Sequence, residues 1–207
     1  GGAGSAVAAA SSSRSQVRVA VSAERWAQGG HHPNWWPDGE HVLMNLNTQG
    51  DGLRFARLAL DGSTCETLVP GLRGSGHPTL HPDGRHLLTD AYVDEPLAFG
   101  DGTAPIRLID LDSGIETQLL RIGIQPLAER STGALRVDPH PAWDRSHTRI
   151  AFNACPDGRR RVFVADLGDI LRQPARGVGG RGRRGPRGRR AAHRLHEMRD
   201  GRHVAVG

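Results

Sequence analysis

Apolar and polar residues alternate in short runs along this chain, and the runs are punctuated by glycine, proline and acidic residues. Three segments fall into register: HPNWWPDGEHVLM from His32, HPTLHPDGRHLLT from His77 and HPAWDRSHTRIAF from His140. Each begins with His-Pro, passes through five or six turn-forming residues and closes on an apolar or β-branched run. Each is followed by a second alternating segment that ends in an acidic turn: RFARLALDGSTCETL (54–68), PIRLIDLDSGIETQL (105–119) and RRVFVADLGDIL (160–171). In the middle segment Arg107, Ile109 and Leu111 alternate with Leu108 and Asp110, the period of two that marks a strand. Asp61-Gly62 and Asp112-Ser113-Gly114 read as hairpin turns. Pro37-Asp38-Gly39 and Pro82-Asp83-Gly84 read as tight turns, proline fixing φ early and glycine supplying a positive φ later.

The unit is therefore a small antiparallel meander, repeated after 45 and then 63 residues, with a loop insertion at roughly 121–136 accounting for the longer step. Helices are a poor alternative, because proline or glycine interrupts almost every window long enough for one. Short antiparallel sheets at this period predict an all-β chain of β-propeller blades. Three four-stranded repeats are expected, at about 30–72, 73–124 and 136–171, between a low-complexity leader (1–29) and an Arg/Gly-rich tail (172–207), both disordered. Three blades make an incomplete ring, since propellers close with about four to eight. The chain is thus expected to be a fragment, or to need further blades or another chain to cover its open sheets.

Composition changes this picture at one end only. All 27 basic residues are arginine, and the net charge is +5. Residues 172–207 hold 11 arginines against Glu197 and Asp200, whereas 1–171 hold 16 against 20 acids. The body is mildly acidic, so nucleic-acid binding could reside only in the tail. From Arg176 to Arg190, 13 of 15 residues are Arg or Gly, and no aromatic residue between 172 and 207 offers a stacking surface. Such a stretch reads as a phosphate-binding arm, as inert low-complexity sequence, or as a GC-rich frame read out of phase after Leu171. Cys65 and Cys155 are too few for a disulfide framework and are expected as buried free thiols. No apolar run reaches the length of a membrane span, and the leader lacks the pattern of an intact secretory signal.

The turn motif His-Pro-x-Trp-x-Pro-Asp-Gly, followed by an apolar strand, resembles the repeat of TolB-type β-propellers. The stretch RVDPHPAWDRSHTRIAFNACPDGRRRVFVADL (136–167) resembles that repeat in the oligogalacturonate lyase branch. The resemblance covers about 30–171 and implies a cytoplasmic or periplasmic protein that takes a protein or acidic-oligosaccharide partner on its channel face. It also implies a manganese-type ion held by histidines and a glutamine in a motif similar to Gln-x-x-His-Pro-His-Pro. Here Leu135 stands at the glutamine position and Asp138 at the first histidine, so only His140 is retained.

Candidate chemistry comes in three sets. His77 and His140 are candidate metal ligands, for imidazoles suit a divalent transition ion. Against this, the His-Pro pairs recur at one place in every repeat, which is also the mark of a repeated structural hydrogen bond; His32 is expected to be structural on that ground. His41, His81 and His86 are expected on the solvated flank of the turns. Asp90, Tyr92, Arg136 and Asp138, with His77 and His140, form the ligand-binding set. An arginine beside carboxylates can clasp an acidic sugar or pair internally. Trp35 and Trp143 share one position in their repeats and are expected between blades, leaving Trp36 exposed. Two functions are compatible with these residues: a non-catalytic binding module, or a divergent lyase acting on oligouronates by metal-assisted β-elimination.

Overall fold

A computed structural model describes residues 17–124 and 137–172, together with the backbone of two strands at 195–199 and 202–206. Nearly all of its regular structure is β. The first sheet is a meander of β1 (Gly30–Trp35), β2 (His41–Leu46), β3 (Arg54–Ala59) and β4 (Cys65–Leu68), hydrogen-bonded in that order. The second repeats the pattern with β5 (Thr79–Leu80), β6 (His86–Thr89), β7 (Thr103–Asp110) and β8 (Ile115–Gly123). The third has β9 (Ala142–Trp143), β10 (Arg149–Ala154) and β11 (Arg161–Asp166), followed by a single helical turn at Gly168–Leu171. These are three propeller-type blades in an open row.

The tight turns form as their residues demand. Gly39 and Gly84 take φ of 70° and 72°, and each donates its N–H to the carbonyl of the residue that opens the turn, Trp36 or His81, at 3.0 Å. Strand alternation then sorts side chains between neighbouring blades. Leu87 and Ile109 pack with Leu43, Phe55 and Leu68 between blades 1 and 2. Their neighbours Leu88, Ile106 and Leu108 face the other way and pack with Ile150, Phe152 and Ala154 between blades 2 and 3. A central blade is apolar on both faces because a sheet covers each one. Blade 1 buries Met44, Leu46, Ala56 and Leu58 on its far face, with Val21 against them. The equivalent face of blade 3 leaves Val162 and Val164 exposed at 70% and 63%.

Two differences from the sequence reading have a clear cause. Trp35 is 61% exposed, while Trp36 is half-buried with the Arg57 guanidinium 4.7 Å over its ring. From Asn34 onward the register matches the other blades, Trp35 pairing with Val42 as Leu80 does with Leu87 and Trp143 with Ile150. The face Trp35 shares is the far face of blade 1, which no further sheet covers among the described residues, while Trp36 turns toward blade 2. His86 is buried rather than solvated, and His41 and His81 are half-buried, because each finds a turn carboxylate.

Residues 17–29, assigned to the leader, carry the short helix Ala23–Trp26, whose N-terminus is capped by Ser22 accepting from the Arg25 amide. Within the stretch read as a tail, β12 (Leu195–Arg199) and β13 (Arg202–Val206) form a hairpin, with β12 parallel to β8. The sequence between them, Asp200-Gly201, is a hairpin dipeptide. The Arg/Gly run 176–190 lies outside the described residues, as does Arg136. No described helix is long and apolar enough to cross a membrane. Cys65 and Cys155 are free; Cys155 is buried, but Cys65, expected buried, is only half-buried near the edge of its sheet in β4.

Candidate functional site

The first strand of each blade lines a shared open cavity of about 930 Å³, and the His-Pro pair of every blade is part of that lining. His32 comes from β1, His77 from just before β5 and His140 from just before β9. One nitrogen of each lies within 4.8 Å of the others. The imidazole centroids of His32 and His77 are 4.0 Å apart, and those of His32 and His140 5.9 Å. A position repeated once per blade is brought together by the pseudo-rotation that relates the blades. His32, expected to be structural, thus completes a cluster with the two histidines singled out as metal candidates.

Asp90 organises this cluster from below. It is fully buried just after β6. Its Oδ1 accepts the His77 backbone N–H at 2.6 Å, and its Oδ2 accepts His77 Nδ1–H at 2.9 Å and the His140 backbone N–H at 3.2 Å. One carboxylate therefore joins blades 2 and 3 and fixes the His77 tautomer, leaving Nε2 with its lone pair toward the cavity. Gly76 makes the approach possible: its φ is 64°, and any Cβ there would collide with Asp90. Asn45, buried in β2, donates to the Gly76 carbonyl at 2.8 Å and to His31 Nδ1 at 3.3 Å, tying blade 1 to the same loop.

Tyr92 adds a hydroxyl. It is hydrogen-bonded to His32 Nε2 and stands 3.5 Å from His77 Nε2. Asp138 is half-buried beside His140, its carbonyl accepting from Asn153 Nδ2 at 3.2 Å. Of the six sequence-predicted ligand residues, the structure gathers His77, Asp90, Tyr92 and His140 directly, with Asp138 alongside.

Backbone and electrostatics both single out the histidines. His32 and His140 have φ of 55° and 44°, although each precedes a proline. Left-handed backbone at a non-glycine residue costs about 1–3 kcal/mol and persists only where the surroundings impose it. Desolvation, then the facing His77, His31 and His140 imidazoles, lower the His32 pKa to about 4. Desolvation and His77 likewise lower His140, against the opposing charges of Asp90 and Asp138. Both rings are held in the neutral, lone-pair-bearing form.

No family model and no curated protein sequence matches the chain. Among solved structures, an oligogalacturonate lyase in complex with manganese is similar over 69% of this chain and 36% of its own, with a TM-score of 0.53 and 15% identity. An oligogalacturonate lyase from Vibrio parahaemolyticus aligns over 66% of this chain and 35% of its own, at 16% identity and a TM-score of 0.49. TolB from Acinetobacter baumannii aligns over 68% and 30%, at 17% identity and a TM-score of 0.47. The chain spans about a third of the length of these structures. The likeness to the first of them bears on the fold, which is that of β-propeller blades.

Proposed function

We propose that this protein is a propeller-type binding module that takes an acidic oligosaccharide in its axial cavity, with a divalent first-row metal held by His32, His77 and His140. The observation that carries this reading is the convergence of one imidazole from each blade over a single buried carboxylate. The donor set fits such an ion: three nitrogens within reach of one centre, with the far nitrogen of His77 anchored on Asp90. Bound there, the ion would supply positive charge for a sugar carboxylate. The chain supplies the rest. Trp35, Trp36 and Trp143 line the same cavity and give a sugar ring flat apolar surface, while Asn34 and the prolines shape the walls.

Calorimetry with Mn²⁺ and digalacturonate tests it. Digalacturonate should bind wild-type protein only when Mn²⁺ is present, and His77→Ala or His140→Ala should abolish that binding. Equal binding in the presence of a chelator would refute the metal-dependent reading.

A second reading, β-elimination on oligouronates, draws on the likeness to the lyase in complex with manganese. In it His31, its pKa lowered by burial and by His77, is the group placed to accept a proton, and the Tyr92 hydroxyl one placed to give one. Incubation of digalacturonate and Mn²⁺ with the protein should then produce the ultraviolet absorbance of a new C4–C5 double bond. Tight binding without that absorbance leaves the module non-catalytic.

A further inference from the structure

The first turn of blade 1 and that of blade 3 each set a carboxylate against an arginine. In blade 1, Asp38 Oδ1 accepts the amides of Glu40 and His41, at 2.8 and 3.1 Å, while Oδ2 meets Arg57 Nη2 at 3.0 Å and His41 Nδ1 at 2.8 Å. In blade 3 the carboxylate comes from Asp144. Its Oδ1 accepts the amides of Thr148 and Arg149, at 3.1 and 3.2 Å, and its Oδ2 meets Arg149 Nη2 at 3.0 Å. Blade 2 keeps the first half of this arrangement: Asp83 Oδ1 accepts the amides of Arg85 and His86 at 2.9 and 3.0 Å.

The second half is different. Arg57 pairs across its sheet with Leu43, and the equivalent partner of Leu88 in blade 2 is Leu108, which is apolar and buried. Arg85 is engaged by Asp110, at 2.9 and 2.5 Å. Arg85 is near enough to act on Asp83 electrostatically, but among the described residues no arginine forms an ion pair with it. Its Oδ2 instead faces His86 Nδ1 at 2.6 Å and His81 Nδ1 at 3.0 Å. His81 Nε2 is bonded to the His147 carbonyl at 3.1 Å, so Nε2 carries the proton and donates. His81 Nδ1 accepts the Asp83 amide at 3.2 Å. Two imidazole nitrogens thus converge on one carboxylate oxygen where blades 1 and 3 set a guanidinium.

We propose that His81, Asp83 and His86 form a second metal site, taking a divalent transition ion of the zinc class in the place that an arginine fills in blades 1 and 3. Two imidazole nitrogens and one carboxylate oxygen lie within 4.8 Å of one another. The spacing His-x-Asp-x-x-His delivers them from one turn preset by Pro82 and Gly84. The side chains of His81 and His86 are 18% and 10% exposed, so the ligands are shielded while the ion keeps a path to solvent. The site shares no residue with the axial cluster. Its consequence is structural: His81 also packs edge-on against Trp143, 5.2 Å between centroids, so a bound ion would clamp the turn of blade 2 onto blade 3.

The test uses Zn²⁺ alone on the full chain. In wild-type protein, Zn²⁺ should slow diethylpyrocarbonate modification of His81 and His86 at least fivefold, mapped by peptide mass. In calorimetry, a His77→Ala/His140→Ala variant should still bind one Zn²⁺, and adding His86→Gln should weaken that binding at least 30-fold. Unprotected His81 and His86 in the wild type would overturn the proposal and leave a proton as the only cation there. Unchanged affinity in a folded His86→Gln variant would overturn it as well. The wild-type measurement stands even if a variant fails to fold.

Discussion

The axial cluster draws one imidazole from each of three blades, 45 and 63 residues apart, whereas the turn cluster takes His81, Asp83 and His86 from six consecutive residues. The axial donors exist only when the blades are packed, and two of them sit on strained backbone. The turn donors are set by proline and glycine geometry and by amides of the same turn. Long-range assembly makes the first site a reporter of the whole fold, and local assembly makes the second largely independent of it.

The sharpest way to separate them is Asp90→Ala. It leaves the His77 and His140 amides and His77 Nδ1 without their acceptor, so a loss of about 3–5 kcal/mol in unfolding free energy is expected. Denaturant melts measure this, and Zn²⁺ protection of His86 should persist in whatever fraction stays folded. Gly76→Ala should cost about 2–4 kcal/mol, because it adds a collision with Asp90 to a positive φ. If either change also removed Zn²⁺ from the turn, the two sites would be coupled and the contrast would fail.

Asp90→Asn keeps the shape of the side chain but removes its charge. Axial metal affinity should drop about 10–100-fold, as for a carboxylate behind a metal-bound imidazole. Titration of Mn²⁺ by electron paramagnetic resonance would show it, with Zn²⁺ at the turn unaffected. His81→Arg sets a guanidinium beside Asp83, as Arg57 and Arg149 stand beside Asp38 and Asp144, but gives up the His147 carbonyl and the Trp143 contact, so a loss of about 1 kcal/mol is expected. It should nonetheless abolish turn Zn²⁺ and spare axial Mn²⁺.

The smallest effect is acid sensitivity. The Ser146 hydroxyl, against some desolvation, and then the Arg149 amide and guanidinium hold the Asp144 carboxyl well below the usual range. A depressed folded pKa contributes stability that is present above the unfolded value near 4 and is lost as pH falls through the folded one. Asp144→Asn should therefore flatten the decline in melting temperature below pH 4, without altering either metal site.

The blade pattern was legible in the sequence because turn chemistry and period-two alternation are local. Pro37-Asp38-Gly39, Pro82-Asp83-Gly84 and the alternation through Ile109 mark their elements without tertiary information. The axial cluster of side chains was legible in part. His77, His140, Asp90 and Tyr92 stood out by residue type, but His32 did not. A position repeated in each blade suggests a repeated local task, and only the rotation relating the blades makes the copies meet. Trp35 and Trp36 were misplaced because strand alternation does not say which face of a blade has a neighbouring sheet against it. The turn carboxylates were read as turn formers, and which oxygen would face which partner depends on rotamers that sequence does not encode. The hairpin of β12 and β13 did have a signal, Asp200-Gly201, masked by the arginine-rich run before it.

His32 and His140 stand on left-handed backbone immediately before prolines. At such a position glycine would relax the chain and asparagine would tolerate it. Random substitution screened for folding alone should therefore erode the axial histidines first, and variants recovered for higher melting temperature should carry Gly or Asn at 32 and 140. A population that retains both imidazoles under mutational pressure would be one in which something other than folding is being selected.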